Sequence, residues 1–80
     1  EGGRQEELID DNLLLYGKRY RLSERECEVL RYVLVGKDNQ NIATSMHLAP
    51  STVKVHIHHI LQKAERANRK ELIQDFWEFS

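Results

Sequence analysis

The 80-residue chain has one cysteine, one proline, four glycines and only 8% aromatic residues. Each scarcity removes a class of protein. A lone thiol, Cys27, cannot close an internal disulfide, and without a Cys-x-x-Cys spacing there is no zinc or redox motif. So little proline and glycine excludes fibrous and low-complexity chains. Apolar runs such as Val33-Leu34-Val35 fall far short of the roughly 18 residues that a membrane span needs, and no signal-peptide pattern opens the chain. A cytoplasmic protein is expected, with no membrane contact by this domain. No Gly-rich phosphate loop is present and no nucleophile has a base beside it, so neither an enzyme nor a cofactor is expected. What remains, 40% hydrophobic and 31% charged residues, suits one small, mostly helical domain stabilised by packing alone.

The net charge of −1 hides a division along the chain. Glu1 to Glu28 carries five basic and eight acidic residues, a net of −3, and Glu71 to Ser80 carries three acidic and no basic ones, again −3. Between them, Val29 to Lys70 holds seven basic and two acidic residues, a net of +5, together with all four histidines. A positive middle between acidic ends suits a polyanion-binding surface, and it also suits a solvated helix whose charges fall there by chance.

The opening Glu1-Gly2-Gly3 is polar and lacks an initiating Met, which predicts a piece of something longer or a few added leading residues. Residues 1–20 read as a flexible N-terminal linker, in which Glu6 to Tyr16, with Leu8, Ile9, Leu13, Leu14 and Leu15, forms either a short linker helix or an extended segment docked on the core. The domain proper is expected over residues 21–80. Ser23-Glu24-Arg25-Glu26 has capping-box spacing: the Ser23 hydroxyl accepts from the Glu26 N–H while the Glu26 carboxylate reaches back to Ser23. Val29, Leu30, Val33 and Leu34 then mark one face of a helix that Gly36 stops, and Leu22 staples its start. Asp38 is placed to cap a short second helix with Ile42, Ala43 and Met46 as its buried stripe, ended by His47-Leu48-Ala49. Pro50 at a first helical position opens a third, longer helix whose apolar side is Val53, Ile57, Ile60, Leu61 and Ala64. Its other face carries Lys54, Val55, His58 and Gln62. Asn68 and Glu71 make a second capping box before Leu72, Ile73, Phe76 and Trp77. No strand pattern and no internal repeat emerges.

A short helix, a turn of about three residues and a longer helix with a polar, lysine-bearing outer face is the layout of a helix-turn-helix. Ala43 is small where the two helices cross, and Met46, Leu48 and Val53 fill the angle between them. Leu22-Ser-Glu-Arg-Glu-Cys-Glu-Val-Leu30, Gly36-Lys-Asp-Asn-Gln-Asn-Ile-Ala43, Thr52-Val-Lys-Val-His-Ile-His-His-Ile-Leu-Gln-Lys63 and Asn68-Arg69-Lys-Glu-Leu72 closely resemble the LuxR/GerE family of transcriptional regulators. Four motifs in order, covering roughly Arg21 to Phe76, carry the resemblance. It implies an all-α, four-helix DNA-binding domain whose third helix enters the major groove and whose fourth often forms a dimer interface, usually behind a receiver, ligand-sensing or other regulatory region.

By position, the resemblance implies that Lys54, Val55 and His58 meet bases and nearby phosphates. Thr52 and Lys63 match backbone-contacting positions, Ser51 joins them at the helix start, and Asn39 and Gln40 stand near the opposite phosphate wall. The chemistry agrees: a lysine donates to guanine edges or phosphates, while a valine offers only apolar contact to a thymine methyl. Some residues depart from the family pattern. Ala49 replaces a Ser or Thr cap, a loss of about 1 kcal/mol that Pro50 partly offsets. His58 stands where a lysine is frequent, Asn41 replaces a common Glu, and Ala64-Glu65-Arg66 replaces a Leu-Gly-hydrophobic turn.

His56, His58 and His59 invite a metal reading, but two of them at i, i+3 with no carboxylate or cysteine at ligand spacing do not make three convergent donors. No metal is expected. Cys27 lacks an activating base and lies in an amphipathic helix, so it reads as a surface or half-buried thiol rather than a nucleophile. Leu72, Ile73, Phe76 and Trp77 are candidates both for core and for a dimer interface. Double-stranded DNA, a second copy of the chain and RNA polymerase are the candidate partners. The competing reading is a helical protein-interaction module that keeps the helix-turn-helix only as scaffold. Salt dependence separates the two, because phosphate neutralisation makes binding salt-sensitive.

Overall fold

A computed structural model describes residues 2–79, with side chains from Ile9 onward. The expectations for Glu1 and for the Leu8 side chain lie outside the described residues. Among the described residues there are five helices and no strand: α1 Gly2–Tyr20, α2 Glu24–Leu34, α3 Asn39–Met46, α4 Pro50–Ala64 and α5 Arg69–Phe79. None is long and apolar enough to cross a membrane.

The local signals operate as their chemistry dictates. Ser23 Oγ accepts from the Glu26 N–H at 3.1 Å, and Glu26 Oε1 accepts from the Ser23 N–H at 2.8 Å, which completes the box at the start of α2. Gly36, at φ 87°, takes the left-handed conformation that ends the helix at little steric cost. Asp38 Oδ1 accepts from the Asn41 N–H at 2.8 Å and starts α3. At α5, Asn68 Oδ1 accepts from the Glu71 N–H at 2.9 Å, while the Glu71 carboxylate accepts from the Ala67 N–H rather than from that of Asn68, one residue earlier than the expected box.

Packing centres on α4, which lies against α2, α3 and α5. Its Val53, Ile57, Ile60 and Ala64 enter one core with Val29, Leu30 and Val33 of α2, Ile42, Ala43 and Met46 of α3, and Leu72 and Phe76 of α5. Helices α2 to α5 are the four that the sequence predicts. The fifth, α1, departs from the linker expectation: it packs along α2 and brings Leu13 and Tyr16 into the same core. Tyr16 is fully buried, with its ring against Tyr20, Phe76 and Phe79 and its hydroxyl donating to Asp75 Oδ2 at 2.7 Å. Burial, reinforced by the bond to Asp75, drives the phenol pKa upward, so the hydroxyl remains a donor. Close approach of α1 to α2 needs Gly17, where a Cβ would stand 2.7 Å from Cys27 Sγ. The Cys27 thiol is itself pushed up by burial and by the neighbouring Glu26 and Glu24 carboxylates, which favours its protonated form.

Candidate nucleic-acid interface

The angle between α3 and α4 is set by the turn residues His47 to Pro50 and by the side chains packed inside it. α3 stops because His47 turns left-handed at φ 57°, and the Leu48 N–H closes back on the Ala43 carbonyl at 2.9 Å. Ala49 then stands at the N-cap of α4 in an extended conformation, with no side-chain cap bond, and Pro50 starts the helix. Ala43, 3% exposed, lets the two helices approach closely, and Met46 and Val53 close the angle from inside. This is the helix-turn-helix expected from the sequence.

With Val53, Ile57, Ile60 and Ala64 turned inward, the 3.6-residue period leaves Ser51, Val55, His58 and Gln62 pointing directly away from the core. Ser51, Lys54, Val55 and His58 border one shallow hollow on that outer surface, floored by Ile57 and Leu61. Val55 is 52% exposed, an apolar side chain on the solvent-facing side of α4. α4 has no acidic residue along its length, and among the described residues Lys54 has no carboxylate partner. The structure thus brings together four of the predicted contact residues.

The other four are distributed differently. Thr52 is exposed on the flank of α4 that faces α2, seven and eleven residues before His59 and Lys63 on the same flank. Lys63 does not reach the hollow: its Nζ donates to Glu26 Oε1 at 2.7 Å and to the Arg21 carbonyl at 3.2 Å. Glu26 Oε2 also lies 4.0 Å from His59 Nδ1. Burial pushes the Glu26 carboxyl up, but the bonds from Lys63 and from the Ser23 backbone outweigh it, so the pKa lies below the usual glutamate value and the group is ionised. Gln40 is exposed on α3. Asn39 is half-buried, with its Oδ1 accepting from Arg69 Nη1 at 2.7 Å, and Arg69 Nη2 donates to the Lys37 carbonyl. Nothing local marks the bonds that Arg69 and Glu26 make here, since they span 30 and 37 residues.

The four candidate dimer residues separate as well. Leu72 and Phe76 are fully buried in the core of a single chain, Ile73 is half-buried against it, and Trp77, stacked edge-on against Phe76, is 38% exposed. Among the described residues no group of three His, Cys, Asp or Glu side chains converges on a metal position.

Residues 20–75 match the family model of bacterial regulatory proteins of the luxR family, GerE. The HTH-type transcriptional regulator MalT of Vibrio cholerae is 42% identical over 53 residues, 66% of this chain and 6% of that protein. The response regulator protein VraR of Staphylococcus aureus is 40% identical over 52 residues, 65% of this chain and 25% of that protein, and VraR of Staphylococcus epidermidis matches to the same extent. The chain therefore spans a quarter or less of the length of these relatives. No solved structure gives a significant match.

Proposed function

Because the chain belongs to the luxR family of bacterial regulatory proteins, we propose that it is the sequence-specific DNA-reading output domain of a transcription regulator acting in the cytoplasm. α4 enters the major groove with Lys54, Val55 and His58 toward the base edges, and Ser51 and Thr52 follow the near phosphate backbone. Asn39 and Gln40, at the start of α3, meet the opposite backbone. Lys63 has one donor left after Glu26 and the Arg21 carbonyl, so its contact with phosphate competes with an internal ion pair and is the weakest of the set. A homodimer forms through α5 with Ile73 and Trp77 as its apolar contact, since Leu72 and Phe76 are occupied in the core. RNA polymerase is the partner through which a bound dimer would act on transcription.

The observation that carries this reading is the outer face of α4, which presents Ser51, Lys54, Val55 and His58 on one acid-free surface. Fluorescence anisotropy of the chain against a selected pool of duplexes and a random duplex, at two salt concentrations, tests it. Binding should enrich a motif, with log K falling against log salt by about 0.9 per phosphate contact. Lys54→Ala should cost about 1–3 kcal/mol, with lost discrimination if the ammonium reads a base and a uniform loss if it holds phosphate. Unchanged binding in that variant would remove α4 from the groove. Absence of binding at low salt would select the protein-interaction reading instead.

A further inference from the structure

Arg69 opens α5, yet its side chain reaches the start of α3. Nη1 donates to Asn39 Oδ1 and Nη2 to the Lys37 carbonyl, so one planar guanidinium bridges the two residues flanking Asp38, the cap of α3. The fork is delivered by a firmly started helix, because Asn68 caps α5 one residue earlier. For Asn39 the consequence is directional. A carboxamide has an accepting oxygen and a donating NH2 on opposite arms, and a phosphate oxygen can only accept. With Oδ1 held by Arg69, the Nδ2 group is turned away from α5 and is the arm left to donate.

We infer that Arg69 is a positioning residue of the DNA interface: it holds Lys37 to Asn39 at the start of α3 and orients the Asn39 amide so that its NH2 donates to a backbone phosphate. This inference rests on the DNA-reading function proposed above and adds an α5 residue to an interface otherwise built by α3 and α4.

Arg69→Lys keeps the charge but cannot span both acceptors with a planar fork, which makes it the informative variant. In the free 15N-labelled protein, relaxation of the Asn39 side-chain NH2 should report an ordered amide in the wild type and a mobile one in Arg69→Lys. In the anisotropy titration, Asn39→Ala and Arg69→Lys should each weaken binding about tenfold, the scale of one charge-assisted hydrogen bond. The double variant should be no weaker than either single one, because both remove the same contact. The salt slope of Arg69→Lys should match that of the wild type. Losses that multiply in the double variant would mean that Arg69 acts on DNA by itself, and a lowered thermal midpoint with unchanged affinity would mean a structural strut; either result overturns the inference. Lys54→Ala in the same titration keeps the two levels apart. If the wild type fails to bind, or Lys54→Ala changes nothing, the DNA reading itself falls. If both behave as expected while Arg69→Lys binds like the wild type, only the role of Arg69 is lost.

Discussion

At the scale of single residues, Glu26 shows how one side chain serves two levels of organisation. Its carboxylate completes a local capping box with Ser23 and also receives Lys63 from α4, with only 6% of the side chain exposed. The Lys63 and Ser23 bonds hold its folded pKa below the ordinary value. A carboxyl depressed in the folded state contributes stability that is present above its unfolded pKa, about 4.3, and lost as pH falls through the folded value. Glu26→Gln should therefore cost about 1–3 kcal/mol near neutrality, since Lys63 is left with a weaker acceptor. In urea titrations the gap between wild type and variant should narrow steadily below about pH 4. A gap that stayed constant down to pH 2 would show that the carboxylate charge contributes nothing. Glu65 makes a different point at this scale. It occupies φ 56° at the end of α4, where the Arg66 N–H closes on the Leu61 carbonyl at 2.9 Å. The turn into α5 thus forms in the left-handed geometry that glycine would adopt freely, at a cost to Glu of about 1–2 kcal/mol.

Among the elements, α1 departs furthest from what its sequence suggests. Leu14 and Leu15 are exposed at 69% and 56%, so the helix does not show one clean apolar stripe, and its acidic stretch resembles a solvated connector. What makes it part of the body is Tyr16, whose ring packs on Phe76 and Phe79 and whose hydroxyl reaches Asp75, all on α5. Tyr16→Ala should cost about 3–5 kcal/mol through the cavity and the lost hydrogen bond to Asp75, a large fraction of the stability of a domain this small. Chemical denaturation measures it directly. A loss under about 1 kcal/mol would mean that α1 is an accessory to a core formed by α2 to α5. By contrast, the starts of α2, α3 and α4 and the breaks at Gly36 and His47 were legible in advance. Capping and turn chemistry act within four residues, the range over which a sequence can be read directly.

For the whole molecule, the decisive feature is which apolar surface remains after one core has closed. The α5 stripe read from the sequence as dimer or core is divided: Leu72 and Phe76 turn inward, leaving Trp77 and half-buried Ile73 outside. Trp77→Ala should abolish cooperative binding to paired half-sites while leaving affinity for a single half-site within about twofold, because the α4 residues proposed to face the groove are untouched. Band-shift titrations on one-site and two-site duplexes distinguish these outcomes. Equal losses on both duplexes would mean that Trp77 supports the fold instead of the contact between copies. The charge division read along the chain reappears in space as an acid-free α4, with Glu71, Asp75 and Glu78 all on α5.

Helices two to five, the side-chain caps of α2 and α3, the helix-turn-helix and the family were determined by the amino-acid order alone, because each depends on hydrogen bonds and periodicities that close within a turn or two of helix. Folding in three dimensions decided the rest. It decided between the readings left open for Glu6 to Tyr16, a linker helix or a segment docked on the core, by packing a helix through Tyr16, and it tied Lys63 to Glu26 and Asn39 to Arg69 across 37 and 30 residues. Such pairings follow from how helices pack against one another, and no local pattern encodes which distant side chain a lysine or an amide will meet.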